Sequence, residues 1–128
     1  MNVCKRKVAP AARRVLVVDD NRDGADSMAM LLRLHGYDVQ VAYDGLEGVE
    51  AALAHAPDVV LCDIGLPTLD GFGVAKALRD HPRTAGAKLI AITGYGSVQT
   101  KSLCQEAGFD RHFTKPVDPC VLEKLLAA

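Results

Sequence analysis

Three aspartates, a threonine and a lysine are the residues of this chain best suited to metal or phosphoryl chemistry. They stand far apart, as Asp19-Asp20, Asp63, Thr93 and Lys115. Carboxylates crowded into one place cannot all stay ionised without a cation. Hard oxygen ligands select Mg2+ or Mn2+, commonly bound by one or two carboxylates, waters and a phosphate oxygen. A metal and a lysine together neutralise a transferred phosphoryl group. An aspartate can be its nucleophilic acceptor, and a threonine hydroxyl can donate to a phosphoryl oxygen. All of this requires a fold that brings the five together. Taken alone, Asp63 is equally a helix cap or a turn residue.

Each candidate closes a strand-like run. Asp63 follows Val59 to Cys62, four apolar residues of the kind found in a strand buried on both faces of a parallel sheet. Gly65, Pro67 and a Leu69-Asp70-Gly71 turn come next. Asp19-Asp20-Asn21 follow Val15 to Val18, Thr93 follows Leu89 to Ile92, and Lys115 follows a short strand over Arg111 to Thr114. Tyr37 to Ala42 alternate and read as an edge strand.

Helices separate the strands. The first places Met28, Leu31, Leu32 and His35 at helical spacing, is capped by one of Asp19, Asp20 and Asn21, and stops at Gly36. The second puts Leu46, Val49 and Leu53 on one face after Asp44-Gly45 and ends before Pro57. The third, over 72–80, turns Val74 and Leu78 inward and ends at His81-Pro82. The fourth, over 97–107, carries Val98, Leu103 and Cys104 and ends at Gly108. Asp118 caps a last helix with Pro119 at its first position and Val121, Leu122 and Leu125 as its stripe. Five strands alternating with five helices predict an α/β, flavodoxin-like, doubly wound parallel sheet of order 2-1-3-4-5, its crevice at the C-terminal ends of strands 1 and 3. All strand ends then share one edge, where Asp19, Asp20, Asp63, Thr93 and Lys115 converge.

At 128 residues the chain is one domain, and 49% hydrophobic content suits a globular core. A net charge of -1 gives no reason to expect nucleic acid or an acidic membrane as partner. Lys5, Arg6, Lys7, Arg13 and Arg14 concentrate base at the start. Residues 1–12 read as a flexible basic tail, and 13–128 as the folded domain. Cys4, Cys62, Cys104 and Cys120 have no metal-ligand spacing and read as reduced thiols of a cytosolic protein. The longest apolar run, Met28 to Leu32, is too short to span a membrane, and the basic start lacks the apolar stretch of a secretory signal. The expected location is the cytoplasm.

The motifs VLVVDDN, VLCDIGLPTLDG, AITGYG and FTKPVD, in this order from about Arg14 to the C-terminus, resemble the receiver domain of two-component response regulators. Such domains take phosphate from a histidine kinase onto one aspartate. The resemblance implies that Asp63 is the phospho-acceptor, that Asp20 and Asp63 bind Mg2+ directly and Asp19 through water, and that the Gly65 backbone carbonyl completes the protein ligands. Thr93 becomes the switch hydroxyl and Lys115 the phosphate-pairing lysine, with a cis peptide at Lys115-Pro116. Phosphorylation draws Thr93 toward Asp63 and biases a surface made by strand 4, helix 4 and strand 5. The implied partners are a histidine kinase or His phosphotransfer protein and a downstream effector, with the chain itself a monomer or weak homodimer. It is expected to be an acceptor phosphoprotein with slow autodephosphorylation and not an enzyme. The chain ends about one helix after Lys115, so no output domain is expected. GLP, TGYG and KPVD are most similar to receivers of hybrid kinases. A phosphorelay shuttle or sink, or a hybrid-kinase segment, therefore stands beside an on/off regulator.

Two positions depart from the family pattern. His112 occupies the place of an aromatic switch residue; it either packs at the strand surface or forms a pH-dependent switch. Gly94 and Gly96 flank Tyr95, which is either a lid over the phosphoryl site or an exposed loop aromatic. Haloacid-dehalogenase-type phosphatases also use an aspartate with Mg2+, but as DxD after the first strand, where this chain has adjacent Asp19-Asp20. Nucleotide binding is weaker still: Gly94-Tyr95-Gly96 has Gln99 where a third glycine belongs, and GxxxxGK[ST] is absent.

Overall fold

The computed structural model describes residues 14–94, 98–115, 117, 118 and 120. Five strands form one sheet: β1 (Arg14–Val18), β2 (Asp38–Ala42), β3 (Val59–Asp63), β4 (Lys88–Thr93) and β5 (Arg111–Thr114). All pairs are parallel and the order is β2-β1-β3-β4-β5, so the alternating strand lies at an edge as its pattern required. The four described helices are α1 (Arg22–Leu34), α2 (Gly45–His55), α3 (Gly71–Asp80) and α4 (Val98–Ala107). The expected fifth helix and the N-terminal tail fall outside the described residues. Asp118 Oδ1 accepts the Cys120 N–H at 2.8 Å, the bond an N-cap makes.

The apolar runs are explained by a core on each face of the sheet. Val15, Val17, Val59, Leu61, Ile90 and Ile92 face α1, packing with Ala25, Ala29 and Leu32. The alternate residues Leu16, Val18, Val60, Cys62, Leu89 and Ala91 face the other way, against Ala52, Val74, Leu78, Cys104 and Ala107. Strands buried on both faces need no polar alternation. Helix α1 begins where Asn21 accepts the Gly24 N–H at 3.2 Å and ends before Gly36, whose φ is 93°.

Two helix faces differ from the sequence reading. In α2 the buried residues are Gly45, Gly48 and Ala52, while Leu46 is 54% exposed. The helix lies too close to the sheet for larger side chains: a Cβ on Gly48 would stand 2.9 Å from Val18 Cγ1. In α4, Cys104 and Ala107 are buried and Leu103 is exposed. Cys62 and Cys104 are free thiols, but Cys120 is disulfide-bonded, which corrects the reading of four reduced cysteines. Among the described residues no helix is long and apolar enough to cross a membrane.

Candidate functional site

Parallel register brings the strand ends together. Val18 pairs with Cys62, Asp63 with Ile92 and Thr93 with Thr114, so Asp19, Asp63, Thr93 and Lys115 leave the sheet along one edge. Backbone bonds fix the exits: the Asp19 N–H donates to the Ala42 carbonyl at 3.1 Å, and the Lys115 N–H to the Thr93 carbonyl at 2.7 Å.

Adjacent Asp19, Asp20 and Asn21 divide their tasks. Asn21 caps α1, and its own N–H donates to Asp19 Oδ1 at 3.0 Å. That turn aims the other Asp19 oxygen at Lys115, whose Nζ donates to Asp19 Oδ2 at 3.2 Å and lies 3.5 Å from Asp63 Oδ2. The Asp19 and Asp63 side chains are only 16% and 14% exposed, whereas Asp20 is open to solvent. Capping thus occupies Asn21 and leaves both carboxylates of the pair for other work.

One ammonium faces three carboxylates here. Burial pushes the Asp63 carboxyl above the ordinary carboxylate range; Lys115 pulls it down and Asp19 pushes it further up. Partial burial by itself lowers the Lys115 amine, but Asp63 and Asp19 outweigh that and hold it above the usual lysine value. The pocket therefore carries excess negative charge that a cation relieves. Asp19, Asp20 and Asp63 present oxygens all within 4.8 Å of one another. An octahedral Mg2+ with ligands at about 2.0–2.1 Å separates opposite oxygens by about 4.2 Å, so the donor set fits this ion in type and spacing.

The loop over residues 64–70 borders the cluster. Gly65 lies exposed in it, and a Cβ there would meet nothing within 4 Å, so packing does not demand its glycine. At Gly71 packing does: a Cβ would stand 2.5 Å from the Asp63 carbonyl, and the Gly71 N–H donates to the Ile64 carbonyl at 2.8 Å. Asp70 caps α3 through the Gly73 N–H at 2.9 Å. Asp63 thus sits between a rigid strand and a helix start pressed onto its own backbone. A cavity of about 410 Å³ opens beside it, lined by Asp19, Met28, Asp63, Ile92, Lys115 and Val117 among others.

Of the remaining candidates, Thr93 shares the carboxylates' sheet edge, His112 lies in a different recess, and the others fall outside the described residues. Thr93 is buried at the end of β4. His112 pairs with Ala91 and is half-buried, lining a recess with Lys101, Cys104 and Phe109 away from the carboxylates. Its Nε2 is buried without a hydrogen-bond partner among the described residues. Tyr95, and Pro116 of the expected cis peptide, fall outside the described residues. Two residues that motif reasoning passed over tie the 64–70 loop down: Asp44 and Thr68, joined by a 3.1 Å hydrogen bond. Asp44-x-x-Glu47 was legible as a capping pattern, and the Glu47 N–H does donate to Asp44 Oδ1 at 2.8 Å. Thr68 carries no such signature.

The sequence profile of the response regulator receiver domain matches residues 15–127. The DNA-binding dual master transcriptional regulator RpaA of Synechocystis is 38% identical over 114 residues, which cover 89% of this chain and 46% of that protein. The chain thus spans about half the length of this relative. A CheY-like receiver domain protein of Methanospirillum hungatei is 33% identical with a TM-score of 0.80, over 90% of this chain and 91% of that one. The receiver domain of the sensor histidine kinase PA1611 of Pseudomonas aeruginosa, solved with magnesium in its active-site cleft, is 28% identical with a TM-score of 0.83, over 91% and 95% of the two chains.

Proposed function

The chain belongs to the response regulator receiver domain family, and from that premise we propose that Asp63 accepts a phosphoryl group from a phosphohistidine on a histidine kinase or His phosphotransfer protein. The observation that carries the reading is the Lys115 ammonium set 3.2 Å from Asp19 and 3.5 Å from Asp63 beside a third carboxylate. A carboxylate oxygen of Asp63 attacks phosphorus, a P–O bond forms as the P–N bond breaks, and the imidazole leaves with the electron pair. Lys115 pairs with a phosphoryl oxygen from the rim, and Thr93 turns its hydroxyl toward another. Partial burial of Asp63 restricts water, consistent with slow autodephosphorylation. Asp20, Asp63 and the Gly65 carbonyl would hold Mg2+, with Asp19 acting through water, and the ion would supply countercharge to the phosphoryl oxygens.

In this reading the domain is an acceptor that acts through partners, without turnover of a substrate. The phosphoryl group biases a surface of β4, α4 and β5, where His112 faces α4 and sets the response. Tyr95 is the proposed lid. The Mg2+-dependent label left by acetyl phosphate tests the assignment: the wild-type protein is expected to label, and Asp63→Ala is not. Full-yield labelling of that variant overturns it. The structural likeness to a kinase receiver favours a second reading, a shuttle or sink in a relay. Return of the phosphoryl group to a His phosphotransfer protein separates the shuttle from a terminal regulator.

A further inference from the structure

We propose that Thr68 and Asp44 form a latch that holds the 64–70 loop where its backbone meets the carboxylate cluster, making both positioning residues for the divalent cation. The inference rests on the reading of Asp19, Asp20, Asp63 and the Gly65 carbonyl as the cation's ligands. Thr68 and Ala56 are the non-glycine residues at positive φ among those described, Thr68 at +66°. That left-handed region is strongly disfavoured for a β-branched residue and persists only where the surroundings impose it.

Here the surroundings are specific. The Thr68 hydroxyl donates to Asp44 Oδ1 at 3.1 Å and accepts the Leu46 N–H at 3.2 Å. The same Asp44 oxygen accepts the Glu47 N–H, so one carboxylate starts α2 and grips the loop. Alongside, the Gly45 N–H donates to the Pro67 carbonyl at 3.2 Å, and a Cβ on Gly45 would stand 1.7 Å from the Leu69 oxygen. The loop lies directly on the first turn of α2. Its stem is fixed by the Gly71 bond to the Ile64 carbonyl and by buried Leu66. The outer turn is held by the Gly45 bond to the Pro67 carbonyl and by the latch, whose side chains are the part that substitution can remove.

The hydroxyl's two hydrogen bonds oppose the backbone strain of the residue that carries them. Removing the hydroxyl while keeping the branched shape leaves the strain without its opposition. The loop then populates other conformations, and the apparent cation affinity falls with the population that keeps the Gly65 backbone in place. Removing hydroxyl and branch together removes both effects. Substitutions at Thr68 should therefore rank by hydroxyl and by strain, not by size.

Calorimetric titration of Mg2+ into the metal-free full chain reads this ranking. Thr68→Ser is expected within about 2-fold of wild type, Thr68→Val about 5- to 10-fold weaker, and Thr68→Gly between them. Asp44→Asn keeps the acceptor oxygen and stays near wild type; Asp44→Ala follows Thr68→Val. Melting curves without Mg2+ identify any variant that does not fold, and Thr68→Gly, expected weaker than Thr68→Ser, then decides. Wild type binding Mg2+ with all these variants at the same Kd overturns the latch and leaves the cation site standing. Wild type that binds no Mg2+ overturns both.

Discussion

Arg79, in the last turn of α3, offers the sharpest quantitative test of the packing. Its guanidinium makes five hydrogen bonds: Nε to the Gly108 carbonyl at 2.9 Å, Nη1 to the Ala85 and Ala87 carbonyls at 2.7 Å each, and Nη2 to the Gly108 carbonyl at 2.7 Å and Asp110 Oδ2 at 2.9 Å. It therefore joins the end of α3, the approach to β4 and the turn into β5. Arg79→Met keeps most of the stem and removes every donor. The ion pair itself counts for little, since its side chains are 26% and 48% exposed. The three carbonyls matter more, each losing a charged donor worth about 1.5 kcal/mol where water is excluded. Water recovers part of this at a site one-quarter exposed, so the expected loss is about 3 kcal/mol. For a chain of this size that lowers Tm by about 12 °C. Urea unfolding followed by far-UV circular dichroism measures it, with the spectrum in buffer unchanged. Mg2+-dependent labelling should persist below the new Tm, because the Arg79 contacts lie before the starts of β4 and β5, at the sheet end opposite Asp63. Arg79→Lys should recover little, since one ammonium cannot reach three carbonyls. A loss below 1 kcal/mol would show that water replaces the guanidinium, and the argument from unsatisfied carbonyls would fail.

Other perturbations test the site and its support. Burial holds the Asp63 carboxyl above the ordinary range, so the folded state binds its proton more tightly than the unfolded chain does. The ionised group therefore costs stability once the pH exceeds the unfolded value. Asp63→Asn should be more stable than wild type at pH 7 without Mg2+, with the gap closing toward about pH 4. Equal melting of the two proteins at both pH values would contradict this. Gly48→Ala should lose about 1 kcal/mol, because its Cβ meets Val18 Cγ1 at 2.9 Å and the gain in helix propensity offsets only part of the crowding. Chemical denaturation of Gly48→Ala with and without Val18→Ala would show the cost fall when the valine methyls are gone. Asn21→Ala should lose about 1 kcal/mol through the α1 cap, and an unchanged unfolding midpoint would remove Asn21 from that role.

What sequence could and could not disclose follows from how far each interaction reaches. Val15 to Val18 and Val59 to Cys62 announce their strands because a strand buried on both faces must be apolar at every position. The strand ends, and hence the meeting of Asp19, Asp20, Asp63 and Lys115, follow from topology once those runs are recognised. The face of α2 did not follow, because the pattern of large apolar residues pointed to Leu46 while the helix packs through Gly45, Gly48 and Ala52. Periodicity weighs side-chain bulk, whereas close approach to Val18 selects for its absence. Arg79 and Thr68 lie further beyond reach. Each looks like an ordinary polar residue, one in a helix's last turn and one in a turn, and each owes its role to groups 6 to 31 positions away. Those partners are mostly backbone N–H and carbonyl groups, which every residue possesses, so no spacing of residue types marks them. The chemistry of this site is thus written in side chains, and the hold on its borders is written in backbone that only the fold assembles.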